Sequence, residues 1–340
     1  MVAAQTWSRT ARLARGLQAN GLSGMMFTET SQVPWMNIAT AATAAPSLEF
    51  STGISVALAR SPMTSAQIAW ELAENTRGRF RLGLGPQVKA HVERRYGMPY
   101  DPIAARMRDY LSAVKACLRA FRSEEKLDHQ GPYYQLSLLP AQWTPPRHDF
   151  EDVKVDIAAV GPHMTRLAGE LADGVHVHPL HSMTYLRQRL LPSVAKGAAA
   201  SGRTLSDVDL IIPVFAVPGD TTEERASTLA RAKAQIAFYG STRNYAFQFE
   251  DLGFPGVSAR LNTKLKAGDI PGMADEITDE MINHFAVVAR WDEMSDALIG
   301  RYRGTARRIV LYLAAERFVE EPKTLGKWGE IARDIKKRTS

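Results

Sequence analysis

The sequence predicts an α/β fold: a (β/α)8 TIM barrel with insertions and a short or degenerate first strand. Three observations carry this reading. Short apolar stretches alternate with longer helical ones along nearly the whole chain. The apolar stretches are continuous rather than alternating with polar residues, the pattern of strands covered on both faces in a parallel sheet. The length of 340 residues, 45% of them hydrophobic, suits one such barrel with inserts and a core that needs neither disulfides nor a structural metal.

The elements follow in order. Residues 6–20 read as a helix stopped by Gly21, and residues 24–27 as a short buried strand. Residues 34–45 form an Ala/Thr-rich helix, 50–56 a strand, 65–77 a helix closed by Gly78, and 80–84 a strand. A long amphipathic helix spans 102–122. Strands at 155–160 and 174–178 flank a helix at 164–172, and a helical region then runs to Gly202. Strand 210–217, helix 222–239, strand 308–313 and a mostly helical stretch 316–337 complete the pattern. This makes seven strands. The eighth has to come from residues 2–5, with 285–289 as a second candidate that also reads as a connecting segment. Two inserts interrupt one barrel domain over 1–340. Residues 128–146 carry Pro and aromatics and read as a hairpin or lid; residues 240–283 are Gly/Pro-punctuated, with short helices.

Composition excludes several classes. No apolar run reaches the ~18–20 residues that a membrane-spanning helix needs, and the first sixteen residues lack a signal-peptide core. A single cysteine, Cys117, cannot form an internal disulfide. A soluble, cytoplasmic protein is therefore expected. The net charge of +6 arises from 42 basic and 36 acidic residues that are interleaved, a solvated surface that also favours an anionic ligand. No zinc-finger, RNP-type or basic-zipper pattern points to nucleic acid.

Residues 50–87 hold the most informative stretch. One strand ends in small and β-branched residues before Arg60-Ser61-Pro62; the next ends in Gly83-Leu84-Gly85-Pro86-Gln87. Glycines at the carboxyl end of a strand let a planar ligand approach the backbone. The pair Gly83 and Gly85 is not a dinucleotide fingerprint, because Val88 occupies the sixth position and Pro86 the turn. His176 and His178 project to one strand face, at a spacing compatible with zinc. No second cluster supplies a further ligand beyond His181, so no metal is expected. His178 reads as a residue of the pocket mouth near substrate or as a buried, hydrogen-bonded histidine. Tyr239 precedes the large insert and reads as a substrate wall or as a packing residue at a helix end.

The order and spacing of several short motifs resemble the bacterial luciferase-like family of flavin- and deazaflavin-dependent oxidoreductases. They are Phe27-Thr28-Glu29-Thr30, Gly53-Ile54-Ser55-Val56, Arg60-Ser61-Pro62, Arg77-Gly78-Arg79-Phe80, Leu82-Gly83-Leu84-Gly85, the stretch from Gln87 through His91 to Gly97, residues 158–164, 168–174 and 237–242. The resemblance covers about residues 21–313 and is nearest to a coenzyme F420-dependent subgroup. It implies F420, with FMN as the alternative cofactor, and a small organic substrate. It also implies a homodimer. An FMN monooxygenase using oxygen and a non-catalytic barrel that has lost its cofactor remain as alternatives. By resemblance, Ser55–Val56 is the place of a non-prolyl cis peptide behind the cofactor ring. Gly85, Gln87 and His91 border the cofactor, and Ala159, Val160 and Gly161, with Met164, hold its phosphate at a helix start. Glu29 either hydrogen-bonds the cofactor ring or acts as a general base, unless it is a surface carboxylate. Thr30 stands where the family often has histidine, and is placed with His178 and Tyr239 toward substrate.

Overall fold

The computed structural model describes residues 1–340 except Leu313, Glu316, Arg317, Val319, Glu320 and Ser340. The expected end of the last strand at Leu313 and the start of the last helix at Glu316 lie outside the described residues. Eleven strands are found among the described residues: β1 Gly24–Phe27, β2 Glu49–Thr52, β3 Ser55–Val56, β4 Phe80–Gly85, β5 His129–Gln130, β6 Gln135–Leu136, β7 Lys154–Ala158, β8 Gly174–His176, β9 Asp209–Pro218, β10 Ala286–Ala289 and β11 Arg308–Leu311. All but the β5–β6 hairpin belong to one parallel sheet in the order β1-β2-β4-β7-β8-β9. The long β9 pairs with β11 along its first half and with β10 along its second. The stretch left open as strand or connection, residues 285–289, is thus a strand at Ala286–Ala289.

The eighth position is filled economically. Val2 forms a single parallel bridge to Phe27 in β1. Its N–H donates to the Met26 carbonyl at 2.8 Å, and its carbonyl accepts from Thr28 N–H at 3.0 Å. On the other side the Met1 nitrogen donates to the Leu311 carbonyl of β11 at 2.9 Å. Two residues therefore join the first and last strands of this TIM barrel, without a ladder.

Alternation along the strands sorts the side chains. Phe80, Leu82 and Leu84 of β4 are buried in the main core between sheet and helices. The intervening Arg81 faces inward, where its guanidinium donates to Asp156 of β7 at 2.9 and 2.6 Å and to Asp209 of β9 at 2.8 Å. Met26, Ile211 and Val310 form a separate small cluster above this layer, packed against Met1. Filling by such layers is the rule for barrels of this size.

The inserts behave differently from loops. The 128–146 insert forms the expected hairpin, pinned to the helix Ile103–Phe121 through the Asp109 carboxylate. That carboxylate accepts from the Tyr133 and Tyr134 N–H groups at 2.6 and 2.9 Å and pairs with His129 at 2.7 Å. None of the insert's residues lines the cavity described below. The 240–283 insert folds into short helices whose Phe249, Val257, Leu261, Met273 and Ile277 make a second apolar core with Phe215 and Ile236.

The helix Pro162–Leu171, which follows the cavity-lining Val160, is clamped on the helix Leu191–Ala200 at two glycines. A Cβ on Gly169 would lie 2.0 Å from the Val194 carbonyl oxygen, and one on Gly197 would lie 1.9 Å from that of Arg166. Backbone cannot yield cheaply at such contacts. Gly197→Ala is expected to destabilise the protein by about 1–3 kcal/mol, as overpacking does. Gly300→Ala, in a helix with open space around it, is expected to be neutral or slightly stabilising. Urea unfolding midpoints of the two variants check this; equal midpoints would remove the clamp.

Candidate active site

The carboxyl ends of the parallel strands surround a cavity of about 700 Å³. Of the residues singled out from sequence, Glu29, Thr30, Gln87, Val160, His178 and Tyr239 line it, and so do Met26, Thr28, Gly53, Ile54, Ala158, His176, Pro213, Tyr312 and residues 1–5. Ser55, Val56, Gly85 and Ala159 are buried just behind the wall. Gly161 and Met164 sit half-buried at the neighbouring helix start. His91 is exposed on the short helix Lys89–Arg94 and does not border the cavity.

One wall is the strand break after β2. The single strand expected over 50–56 is interrupted at Gly53–Ile54, and that is where the non-prolyl cis peptide falls. This corrects the placement at Ser55–Val56 by two residues. Ser55 and Val56 instead resume pairing with β4 as β3. Glu29 holds this segment. Its N–H donates to the Ile54 carbonyl at 3.1 Å. Its carboxylate accepts from Val56 N–H at 2.8 Å and from the Ser55 hydroxyl at 3.2 Å, and it is ion-paired with Arg60. Arg60 also donates to the Val56 carbonyl at 3.0 Å and lies over the Trp35 ring. Glu29 is 6% exposed, so it is not a surface carboxylate. Burial of such a charge is tolerable only with donors of this kind.

Gly85 ends β4 beside this break, where a Cβ would collide with the Ile54 side chain at 2.8 Å. Gln87 follows with φ of +62°, a left-handed conformation that costs a non-glycine residue energy and is concentrated at functional sites. At Gly161, the helix Pro162–Leu171 begins with no side-chain cap among the described residues, and a Cβ there would meet nothing within 4 Å. The first-turn N–H groups are thus left for an outside acceptor.

The opposite wall is aromatic. The His178 ring lies against Tyr239 and Tyr245, with centroids 4.6 and 4.7 Å away. Its Nδ1 accepts from Leu180 N–H at 3.1 Å. Tyr239 and Tyr312 share a hydrogen bond between their hydroxyls, and burial pushes the Tyr239 phenol well above its ordinary range. Deeper down, His176 is 4% exposed, with Nε2 3.5 Å from Asp156 Oδ2 and no hydrogen-bond partner among the described residues. Gly83 makes room for that ring: a Cβ there would stand 2.5 Å from Nε2. Burial works against the Asp156 charge, but His176 and Arg81 together hold its carboxyl below the usual range. Tyr312, Tyr245 and the role of residues 1–5 escaped the sequence reading, because only the folded chain brings them to the strand ends.

Burial, reinforced by the neighbouring His181, pushes the His178 imidazole down to about 3. Burial likewise pushes His181 down to about 4. His181 is fully buried between the His178 carbonyl and the Tyr302 hydroxyl. An unfolded histidine takes its proton near 6.5, so between that pH and about 4 the unfolded chain binds more protons than the folded one. Stability must fall as pH falls through this window. For His181 the loss is about 1 kcal/mol per pH unit. Urea midpoints measured at pH 7 and pH 5 should differ less in His181→Gln than in the parent; an unchanged difference would contradict the assignment.

Residues 1–308 match the luciferase-like monooxygenase family. An uncharacterized protein of Mycobacterium tuberculosis (strain ATCC 25618 / H37Rv) is 36% identical over 309 residues, 91% of each chain. The F420-dependent glucose-6-phosphate dehydrogenase of Beutenbergia cavernae is 32% identical over 182 residues, covering 53% of this chain and 52% of that one. The solved structure of the coenzyme F420-dependent tetrahydromethanopterin reductase from Methanopyrus kandleri covers 100% of this chain and 98% of its own at a TM-score of 0.79 and 17% identity, a likeness of fold. Homologues and structural neighbours include F420-dependent oxidoreductases and flavin monooxygenases. This is thus an enzyme that acts with a flavin or deazaflavin, and the chain belongs to the luciferase-like monooxygenase family.

Proposed function

We propose that this protein is a coenzyme F420-dependent oxidoreductase of the cytoplasm that moves a hydride to or from a small organic substrate. The observation that carries it is the uncapped helix start at Gly161, opening beside a cavity of about 700 Å³. A polyanionic cofactor tail suits those N–H groups, and the cavity volume is that of a cofactor or ligand site. The F420-dependent relative that is 32% identical over half of the chain supports F420 over FMN. Bound there, the deazaflavin would supply the hydride acceptor or donor.

The chain's own residues would do the rest. Gly85, Gln87, Ser55 and Val56 would shape the wall behind the ring, with His91 near the cofactor's outer end. Ala159, Val160, Gly161 and Met164 would hold its phosphate. Glu29, with its oxygens already taken up by three donors, is assigned to positioning rather than proton transfer. Thr30, His178 and Tyr239 would face the substrate, His178 as a neutral ring. FMN with oxygen is the second reading, since flavin monooxygenases share the fold. A homodimer belongs to the same proposal; light scattering is expected to give a mass near twice 37.5 kDa.

Fluorescence titration is expected to show saturable F420 binding, at least tenfold tighter than FMN. Weak F420 binding together with oxygen consumption on added reduced FMN would replace this reading with the second. Glu29→Gln, which removes the charge gathered by Val56, Ser55 and Arg60, is expected to weaken cofactor binding about tenfold, or about 1.4 kcal/mol. Unchanged affinity would show that the 53–56 segment does not contact the cofactor.

A further inference from the structure

We infer that His176 is the group that takes the substrate's proton, and that Asp156 is the positioning residue that turns its Nδ1 toward the cavity. The inference rests on the hydride-transfer reading and goes beyond it. For an alcohol or amine substrate, removal of a hydride accounts for one hydrogen; the second, on the neighbouring oxygen or nitrogen, must leave as a proton. The other polar groups of the cavity wall are poorly placed for it. The Glu29 carboxylate is occupied by Val56, Ser55 and Arg60. The His178 Nδ1 already accepts from Leu180 N–H. Tyr239 and Tyr312 are bonded to each other, and burial raises both.

His176 differs. It borders the cavity, and its Nε2 is turned to Asp156 Oδ2 at 3.5 Å. That separation is long for a hydrogen bond, as is common in sites that tighten around their ligand. Asp156 comes from β7 and is held as a carboxylate by Arg81 of β4, which is itself shared with Asp209 of β9. A carboxylate at Nε2 favours the tautomer with its proton there and leaves the Nδ1 lone pair free. The remaining titratable groups of the wall are Arg9, Glu29, His178, Tyr239, Tyr312 and the Met1 α-amino group; burial pushes that amine down to about 5, and it is engaged with the Leu311 carbonyl at 2.9 Å.

The step balances as follows. With F420 bound, the substrate C–H bond would break and its electron pair would leave with the hydrogen as hydride, which the deazaflavin would accept. The O–H or N–H bond on the adjacent atom breaks, its electrons form the new double bond, and the proton goes to His176 Nδ1. In the reducing direction the same nitrogen returns the proton.

The test uses the full chain loaded with F420. His176→Gln is expected to bind F420 within threefold of the parent, yet to transfer hydride at least 100-fold more slowly in single turnover and to lose the acid limb of the pH–rate profile. A rate within threefold of the parent overturns the His176 assignment alone. Failure of the parent itself to bind F420 overturns the hydride-transfer reading on which the inference rests. A readout independent of activity is nitrogen NMR of the His176 ring in the cofactor-free parent. The Nε2–H tautomer is expected, and it should be lost in Asp156→Asn. An Nδ1–H tautomer in the parent overturns the proposal, even if His176→Gln does not fold.

Discussion

The arrangement rests on one half-buried cation. Arg81 lies inside the sheet and joins β4 to β7 through Asp156 and to β9 through Asp209. Charges taken out of water are costly unless each is matched by partners in good geometry. Here two carboxylates share one guanidinium, whose planar fork suits such sharing. The result fixes three strands in one register below the cavity and leaves Asp156 charged beneath His176. Removing Asp156 would strand part of that guanidinium, so the floor of the site and the stability of the barrel depend on the same contact.

Above this floor the two walls are built by different means. The wall after β2 is held by charge: Glu29 gathers the Ser55–Val56 segment and is countered by Arg60. The far wall is held by ring packing around His178 and by the tyrosine pair. Charged donors set backbone positions closely, whereas stacked rings can be exchanged for others of similar shape. In the proposed function, cofactor geometry follows the first wall and substrate choice the second. The 240–283 insert lends Tyr245 to that second wall and otherwise buries its own core.

Much of the site could be read before folding was considered. Glu29, Gln87 and Val160 stand out by motif order and His178 by its spacing along a strand, and all four meet at the cavity. The cis peptide was placed two residues late because Gly-x-Ser-Val marks the segment but not which of its bonds turns. His91 carries a motif match and yet stands exposed on a six-residue helix, outside the lining of the cavity.

The sequence by itself determined the parallel α/β class, through continuous apolar strands spaced by amphipathic helices, and the wall of small residues at the strand ends. Local pattern suffices there, because burial on both faces and backbone approach leave their mark in adjacent residues. Only the tertiary structure decided that Met1 and Val2 join the first and last strands, that Arg81 meets Asp156 and Asp209, and that Asp156 lies beneath His176. These contacts link residues as far as 310 positions apart. A single inward-facing polar residue in an apolar strand does not reveal its partner, because that choice is made by strand order and register across the whole barrel.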